Sequence, residues 1–302
     1  MRTVFVGAVE GSARALDGLC AAGHAPVLVM TLPLDRAANH SDFADLRPIA
    51  ARHGIPVHET ARSNAPDTLA ALRAAAPDLA LVIGWSQLCG AEFRAIPALG
   101  CIGFHPSALP RMRGRGVIPW QILCGETQGG ATLLWLDEGT DSGDIAAQAL
   151  FPIDAGRDTA RSLYDRAVGA MVPLVIDLMG RLERGERPRT VQDHDLATLC
   201  AKREPQDGMI DWTAPAAQIE RLIRAVSPPY PAAFTFDDTG RRCIRAARLS
   251  AREGYHIGLP GQVQAVGHAV TVLCGDGRCL DLLDYDGPMP KIHARFRSGP
   301  CP

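Results

Sequence analysis

The chain has 302 residues, of which 47% are apolar and 21% are charged, which is enough to form two moderate hydrophobic cores. Its formal net charge is −2 and its pI is near 6.5, so no overall positive field attracts a polyanion or a membrane surface. These values favour small-molecule chemistry and give no reason to expect nucleic acid or a membrane as a partner. With no signal peptide or apolar span at the N-terminus and no C-x-x-C pair among nine cysteines, we predict a cytoplasmic protein with reduced thiols.

Short apolar runs alternate with amphipathic helical stretches through the first 184 residues. The predicted strands are Thr3–Val9, Pro26–Thr31, Leu79–Gly84, Cys101–His105 and Ala131–Leu136. The predicted helices are Ala13–Ala22, Asp42–His53, Asp67–Ala75, Pro119–Cys124 and the longer Thr159–Arg184. Because the strands lack clean two-residue alternation and helices follow them, we predict a Rossmann-like α/β domain over residues 1–184, with a buried parallel sheet covered on both faces.

A second domain is predicted over residues 205–302, after a charged linker at 185–204 that contains Gly185 and Pro188. It begins with a helix at Ala214–Val226. Five short strands follow, at Ala232–Asp237, Cys243–Leu249, Gly261–Ala265, Ala269–Leu273 and Cys279–Tyr285. Five antiparallel strands of this length favour a small OB-like β-barrel. Residues 204–302 carry 11 Lys and Arg against 11 Asp and Glu, a balance that does not support oligonucleotide binding.

An imidazole and a carboxylate are the strongest candidates for chemistry. His105 ends a predicted strand, where open α/β sheets place their ligand crevice, and Asp141 follows 36 residues later in the turn between Gly139 and Gly143. A carboxylate beside an imidazole prepares the ring as a general base or as a cation that stabilises an oxyanion. The pair is predicted to be catalytic, although spacing alone leaves open that the two residues are unrelated.

The run HPSALPRMRGRGVIPWQILCGETQGGATLLWLDEGTDSGDIAAQ, which starts at His105, resembles the catalytic core of the folate-dependent formyltransferases. That core has the pattern N-x-H-x-S-L-L-P, then R-G, then G-x-D-x-G. Ile210-Asp211-Trp212 and Pro229-Tyr230-Pro231 resemble the start of the family's second domain. The resemblance implies that His105 and Asp141 are catalytic and that 10-formyltetrahydrofolate is the co-substrate. Gly103 stands where most of the family has a catalytic Asn, so the oxyanion of the tetrahedral intermediate lacks the usual amide donor.

The resemblance also implies binding residues. The residues expected to bind the folate are Trp85, Gln87, Leu88, Ser107, Leu109 and Asp137. Those expected to bind the amine substrate are Arg113, Arg115 and Tyr230, with the arginines of the Arg111–Arg115 cluster as candidates for a bidentate grip on phosphate. A solvated basic turn is the other interpretation of that cluster. No metal site is predicted, because no Cys/His cluster or H-E-x-x-H motif occurs.

Several functions remain open within the resemblance. Formyl transfer to an amino-sugar nucleotide is the main expectation, because the region after the second strand is short and nearly neutral, unlike the basic insertion of the tRNA enzymes. The alternatives are methionyl-tRNA formylation and hydrolysis of 10-formyltetrahydrofolate, the second because Gly129–Trp135 has a GG-x-x-x-x-W pattern shared with the hydrolase domain of 10-formyltetrahydrofolate dehydrogenase. A non-catalytic folate-binding protein is a further hypothesis. The sequence leaves a homodimer open.

Overall fold

The chain divides into two compact units in a computed structural model that describes residues 1–39 and 42–299. The first unit comprises Met1–Val117, Gln128–Pro152 and Tyr164–Ala201. The second comprises Ile118–Thr127, Ile153–Leu163 and the chain from Lys202 onward. Residues 185–201, predicted as linker, therefore pack with the first unit. Two segments that precede the predicted second domain pack with the second unit.

Nine strands and six helices precede residue 202 in the described part of the chain. The strands are β1 (Thr3–Val6), β2 (Leu28–Thr31), β3 (Val57–Glu59), β4 (Leu79–Val82), β5 (Cys101–His105), β6 (Arg113–Gly114), β7 (Gln128–Trp135), β8 (Ile145–Pro152) and β9 (Leu199–Cys200). The helices are α1 (Glu10–Ala21), α2 (Arg47–Arg52), α3 (Pro66–Ala75), α4 (Ala91–Ala95), α5 (Val117–Cys124) and α6 (Ala160–Glu183). None of the helices in the described ranges is long and apolar enough to cross a membrane.

Seven of these strands form one sheet in the order β3-β2-β1-β4-β5-β7-β8. Strands β1 to β5 are parallel, which confirms the predicted parallel-sheet α/β domain, but β7 runs antiparallel to β5 and β8 antiparallel to β7. The sheet is therefore mixed at one side. Strand β8 was not predicted, because most of its side chains are half-exposed and it lacks a buried apolar run. The two-residue strands β6 and β9 pair separately.

Helices cover both faces of the sheet, as predicted. Successive side chains of a strand point to opposite faces. On β1, Phe5 packs in a core with α1, α2 and α6, whereas Val4 and Val6 pack in a second core with α3 and α4. Because β4 and β5 are parallel neighbours, the loop after β4 and residue His105 lie at the same edge of the sheet.

The second unit contains α7 (Ala216–Ala225) and five antiparallel strands. These are β10 (Ala233–Asp237), β11 (Gly240–Leu249), β12 (Val263–Val266), β13 (Val270–Leu273) and β14 (Cys279–Tyr285), in the order β10-β11-β14-β13-β12. Arg297 bridges Phe236 of β10, and Arg295 bridges Gln262 beside β12, so the segment between them joins the two edges of the sheet. The predicted antiparallel β domain is confirmed.

A buried ion pair lies at the end of this sheet. The guanidinium of Arg242 pairs with Asp237 and also donates hydrogen bonds to the backbone oxygens of Asp286 at 2.9 Å and Pro288 at 2.6 Å. Burial alone would raise the pKa of Asp237, but hydrogen bonds from Thr239 and Arg242 and the charge of Arg242 lower that pKa below its ordinary value. The charged pair therefore stabilises the second unit.

We expect Arg242→Met to destabilise the second unit by about 3–5 kcal/mol, because Asp237 then keeps a buried charge without its partner. The contribution of Asp237 to the free energy of unfolding is complete above the ordinary carboxyl pKa of about 4. It is lost as pH falls through the lower pKa of the folded state. Urea unfolding at pH 7 and at pH 2–3 checks both expectations. Arg248→Met, which removes a 67% exposed partner of Asp281, is the matched control and should cost about 0–1 kcal/mol. A loss that does not shrink in acid would contradict the argument.

Candidate active site

His105, the last residue of β5, is buried between two hydrogen-bond acceptors. Its Nε2 atom lies 2.6 Å from the backbone oxygen of Met112, and its Nδ1 atom lies 3.5 Å from Oδ2 of Asp141. A carbonyl and an ionised carboxylate only accept hydrogen bonds, and a neutral imidazole can donate from one nitrogen alone. A neutral ring can therefore donate to only one of these two oxygens, whereas a ring that has gained a second proton can donate to both. The site brings together the two residues that the sequence predicts as a catalytic pair.

The turn that carries Asp141 is fixed by its backbone. Oδ2 of Asp141 accepts a hydrogen bond from the backbone N–H of Gly114 at 2.8 Å. Asp141 has a φ of 51°, in the left-handed region, which Asp tolerates better than most residues. A Cβ atom at Gly143 would overlap the backbone oxygen of Trp135, so this position requires glycine. The turn can therefore fold back along β5 and reach His105.

Gly103 lies in the middle of β5, between Val82 of β4 and Leu134 of β7. A Cβ atom built at Gly103 would lie 2.6 Å from Cδ2 of Leu136. The side chain of Leu136 thus fills the space in which a side chain at position 103 would begin. Gly103 itself contributes no side-chain donor to the site.

The proline-bracketed loop after His105 is held by hydrogen bonds from side chains of neighbouring strands in the same sheet. The backbone oxygen of Ser107 accepts a hydrogen bond from Thr132 at 2.7 Å, and that of Leu109 accepts one from Gln148 at 3.0 Å. The Ser107 hydroxyl donates to the backbone oxygen of Arg111 at 2.9 Å. Ser107 and Leu109 are both buried. Their side chains shape the loop, and their predicted role in folate binding stays a prediction.

The three arginines of the Arg111–Arg115 cluster are in different environments. Arg113 is 9% exposed, and its Nε and Nη2 atoms donate to Oε1 of Gln192 at 3.2 and 2.7 Å. Arg113 is therefore buried against Gln192, and it is not the exposed phosphate-binding side chain that the sequence led us to expect. Arg111 and Arg115 are exposed, and Nη2 of Arg115 lies 3.3 Å from the backbone oxygen of Ser86. Tyr230, the third predicted substrate residue, is half-buried in the second unit.

The loop after β4 carries three of the predicted folate residues. Trp85 donates from Nε1 to the hydroxyl of Ser63 at 2.7 Å, and Gln87 donates to the backbone oxygen of Ala61 at 2.6 Å. Leu88 is 71% exposed. Since Arg115 contacts Ser86, this loop lies beside the arginine cluster. The loop therefore lies at the edge of the sheet where β5 ends with His105.

A cleft of about 260 Å³ lies beside the Asp141 turn. Its walls include Leu136, the predicted folate residue Asp137, Ser142 and the basic residues Arg94 and Arg189. The guanidinium of Arg189 stacks over the ring of Trp135 at 4.2 Å. Asp137 is an exposed carboxylate that accepts a hydrogen bond from Ser142 at 2.9 Å. The cleft therefore places the carboxylates of Asp137 and Asp144 and the cations of Arg94 and Arg189 beside the Asp141 turn, and Arg189 lies 3.5 Å from Asp144.

Sequence reasoning missed three residues that shape the site. The backbone oxygen of Met112 contacts His105, and Gln192 and Thr198 hold the loops on either side of the ring. The role of Met112 depends on its backbone, so its residue type gives no signal. Gln192 and Thr198 lie in the segment predicted as linker. The sequence offers no pattern that would mark them.

The fold and this site define an α/β enzyme with an imidazole–carboxylate pair at the carboxyl edge of its sheet. The pattern of the family described as formyl transferase matches residues 27–175, and that of the formyl transferase C-terminal domain matches residues 202–287. The methionyl-tRNA formyltransferase of Citrifermentans bemidjiense is 33% identical over 281 residues, which cover 92% of this chain and 86% of that protein. This chain belongs to the folate-dependent formyltransferase family. It is a formyl-transferring enzyme whose formyl donor is 10-formyltetrahydrofolate, as predicted.

Two solved structures share the fold. HypX from Aquifex aeolicus, in complex with tetrahydrofolic acid, matches with a TM-score of 0.65 and 21% identity over 93% of this chain and 43% of that chain. The N-formyltransferase from Helicobacter canadensis, in complex with folinic acid and dTDP-3-aminofucose, matches with a TM-score of 0.66 and 18% identity over 93% of this chain and 98% of that chain. At these identities the likeness concerns the fold alone.

We expect Asp141→Asn and His105→Ala each to lower kcat by about 10²–10⁴-fold, the usual contribution of a positioned acid or base. The measurement is tetrahydrofolate release from 10-formyltetrahydrofolate under single-turnover conditions. Asp177→Asn and His53→Ala change exposed residues of the same types and serve as controls. A variant at 105 or 141 that retains the parent rate would remove that residue from the mechanism.

We expect Gly103→Asn alone to cost about 1–3 kcal/mol of stability, because its Cβ atom crowds Leu136. The double variant Gly103→Asn with Leu136→Ala makes room for the amide. If an oxyanion donor is missing, the double variant should exceed Leu136→Ala alone in kcat, by up to about 10²-fold. Equal rates for these two variants would show that an amide at position 103 supplies no catalysis.

Proposed function

We propose that His105 and Asp141 perform the proton transfers of formyl transfer from 10-formyltetrahydrofolate to a primary amine. The observation that carries this proposal is the buried His105 ring, held between the carboxylate of Asp141 and the backbone oxygen of Met112. The attacking amine must lose a proton, and the nitrogen that leaves with tetrahydrofolate must gain one. A neutral imidazole can accept the first proton, the carboxylate of Asp141 stabilises the cation that forms, and this cation can supply the second proton.

The formyl oxygen gains negative charge during the attack and needs a donor. Gly103 supplies no amide, and loss of one oxyanion donor typically costs about 10²–10³ in rate. The Nε2–H group of His105 is a donor of the required kind. It now bonds the oxygen of Met112, so it can serve the formyl oxygen only if this hydrogen bond is exchanged. The hydrogen bond to Met112 thus satisfies Nε2 of His105 between turnovers.

The cleft beside the Asp141 turn fits the chemistry of the formyl donor. A pterin presents N–H groups that a carboxylate such as Asp137 accepts, and its glutamate tail presents carboxylates that Arg94 or Arg189 can bind. When bound, 10-formyltetrahydrofolate supplies the formyl group. Asp137, Arg94 and Arg189 would hold it beside the turn of the catalytic carboxylate.

We further propose methionyl-tRNA as the acceptor, in place of the amino-sugar nucleotide expected from the sequence. The support is the match to the methionyl-tRNA formyltransferase of Citrifermentans bemidjiense, which extends over both units at 33% identity. That relative also counts against the expectation that nucleic acid is not a partner. A small-molecule amine, a homodimer and a cytoplasmic location stay predictions.

An amino-sugar nucleotide is the second candidate, favoured by the charge of the second unit. Strand β11 is rich in arginine, but Arg242, Arg245 and Arg248 each pair with a carboxylate. Residues 204–302 also balance to zero charge. Phosphate contacts from basic side chains dominate nucleic-acid affinity, and paired arginines contribute less to them. A sugar nucleotide with one diphosphate requires far fewer such contacts than a tRNA.

The test supplies 10-formyltetrahydrofolate with methionyl-tRNA, with a panel of amino-sugar nucleotides, or alone, and follows tetrahydrofolate, formate and the mass of each acceptor. We expect formyl-methionyl-tRNA, with kcat/KM falling steeply as salt rises. A formylated sugar nucleotide without formylated tRNA would replace the first acceptor with the second. Formate release that is equal with and without amine would identify a hydrolase and overturn both acceptors.

A further inference from the structure

The segment after α6 runs through the active site. We name residues 188–200 the strap. The backbone oxygen of Pro188 accepts a hydrogen bond from Nε1 of Trp135 at 2.8 Å, and Thr190 exchanges two backbone hydrogen bonds with Ile145 at 2.8 and 2.9 Å. At its far end β9 pairs with β6 in parallel. The strap therefore contacts both loops that meet at His105.

Gln192, within the strap, is 3% exposed, and its amide joins these two loops. Nε2 donates to the backbone oxygens of Asp141 at 2.8 Å and Gly143 at 2.7 Å. Oε1 accepts two hydrogen bonds from Arg113, on the loop that covers His105. Only an amide side chain can donate to two carbonyls and accept from a guanidinium at the same time. Gln192 thus acts on the turn of the catalytic carboxylate and on the opposite loop together.

Thr198 holds the other partner of His105. Its hydroxyl accepts a hydrogen bond from the backbone N–H of Met112 at 2.8 Å, and its backbone oxygen accepts one from Arg113 at 2.8 Å. Met112 has a φ of 60°, so both residues that contact the imidazole have left-handed backbone. Such conformations are unfavourable for residues other than glycine and persist where neighbouring contacts hold them. The strap provides those contacts at Met112 and at Asp141.

We propose that Gln192 is a positioning residue for formyl transfer, which sets the Asp141 carboxylate against His105 and does not itself touch the substrate. The proposal rests on the catalytic roles assigned to His105 and Asp141. Arg113 has a matching role, because its guanidinium orients the amide of Gln192. The strap is accordingly part of the catalytic unit and not a passive connection between domains.

The test is a double-variant cycle on the full chain, with 10-formyltetrahydrofolate and methionyl-tRNA or, where that gives no product, the sugar nucleotide formylated in the acceptor assay. Gln192→Ala should lower kcat about 10–100-fold, as is typical when a supporting hydrogen bond to a catalytic group is lost, with little change in KM. If Gln192 acts through Asp141, adding Gln192→Ala to the Asp141→Asn variant should lower kcat further by less than about threefold. Equal losses in both backgrounds would overturn the proposal.

Gln192→Glu is the second variant, because it keeps acceptors for Arg113 but loses the donors to Asp141 and Gly143. Gln192→Glu should also lower kcat, and this loss should be smaller when the change is made in the Asp141→Asn variant. Gln218→Glu, on an exposed face of α7, is the control. If Asp141→Asn itself keeps the parent rate, the assigned catalytic pair fails, an outcome distinct from failure of the positioning role.

A readout that needs no turnover is the ¹⁵N chemical shift of the His105 ring. The shift should change in Gln192→Ala in the same sense as in Asp141→Asn, and not in Gln218→Glu. A His105 signal that responds to Asp141→Asn but not to Gln192→Ala would overturn the positioning role. Thermal unfolding of each variant confirms that the compared proteins are folded.

Discussion

The contact between His105 and Asp141 joins two parts of the sheet that run in opposite directions. His105 ends β5, whereas Asp141 follows β7, whose end lies beside Ile102 near the start of β5. The carboxylate reaches the imidazole only because the intervening turn folds back along the strand. Its left-handed backbone at Asp141 and the close approach at Gly143 are consequences of that path. The geometry of the catalytic pair therefore depends on whatever holds the turn.

Gly103 and Leu136 affect which groups can stabilise the oxyanion and which can transfer protons. A formyltransferase with an amide at position 103 would separate oxyanion stabilisation from proton transfer. Here Leu136 occupies the adjoining space, so the region beside β5 is apolar. An apolar neighbour strengthens the electrostatic interaction between a charged imidazole and nearby oxygens, because it excludes water. In the proposed mechanism the same ring contributes to both tasks, and its hydrogen bond to Met112 must then be exchanged for one to the formyl oxygen.

The sequence predicted most strands of both units because buried β-branched runs at Leu28–Thr31 or Leu79–Val82 are distinctive. The sequence also indicated that His105 and Asp141 lie together, since glycine and proline frame both residues, and the two side chains are 3.5 Å apart. It could not reveal that β7 and β8 are antiparallel, because strand direction depends on the path of the connection. The burial of Arg113 was likewise not predictable from the sequence. Whether a guanidinium faces solvent or an interior amide is decided by Gln192, which is 79 positions away.

The way in which the two edges of the second unit's sheet are joined has a consequence while the chain is being synthesised. Its sheet edges at Phe236 and Gln262 are bridged by Arg297 and Arg295, and the unit also draws on residues 118–127 and 153–163. A ribosome releases the chain from its N-terminus, so those early segments emerge long before the partners they pack against. Two unpaired strand edges then persist until residues 295–297 appear, and open edges are templates for association with other chains. Until then, the strand edges of this unit are open to pairing with other chains.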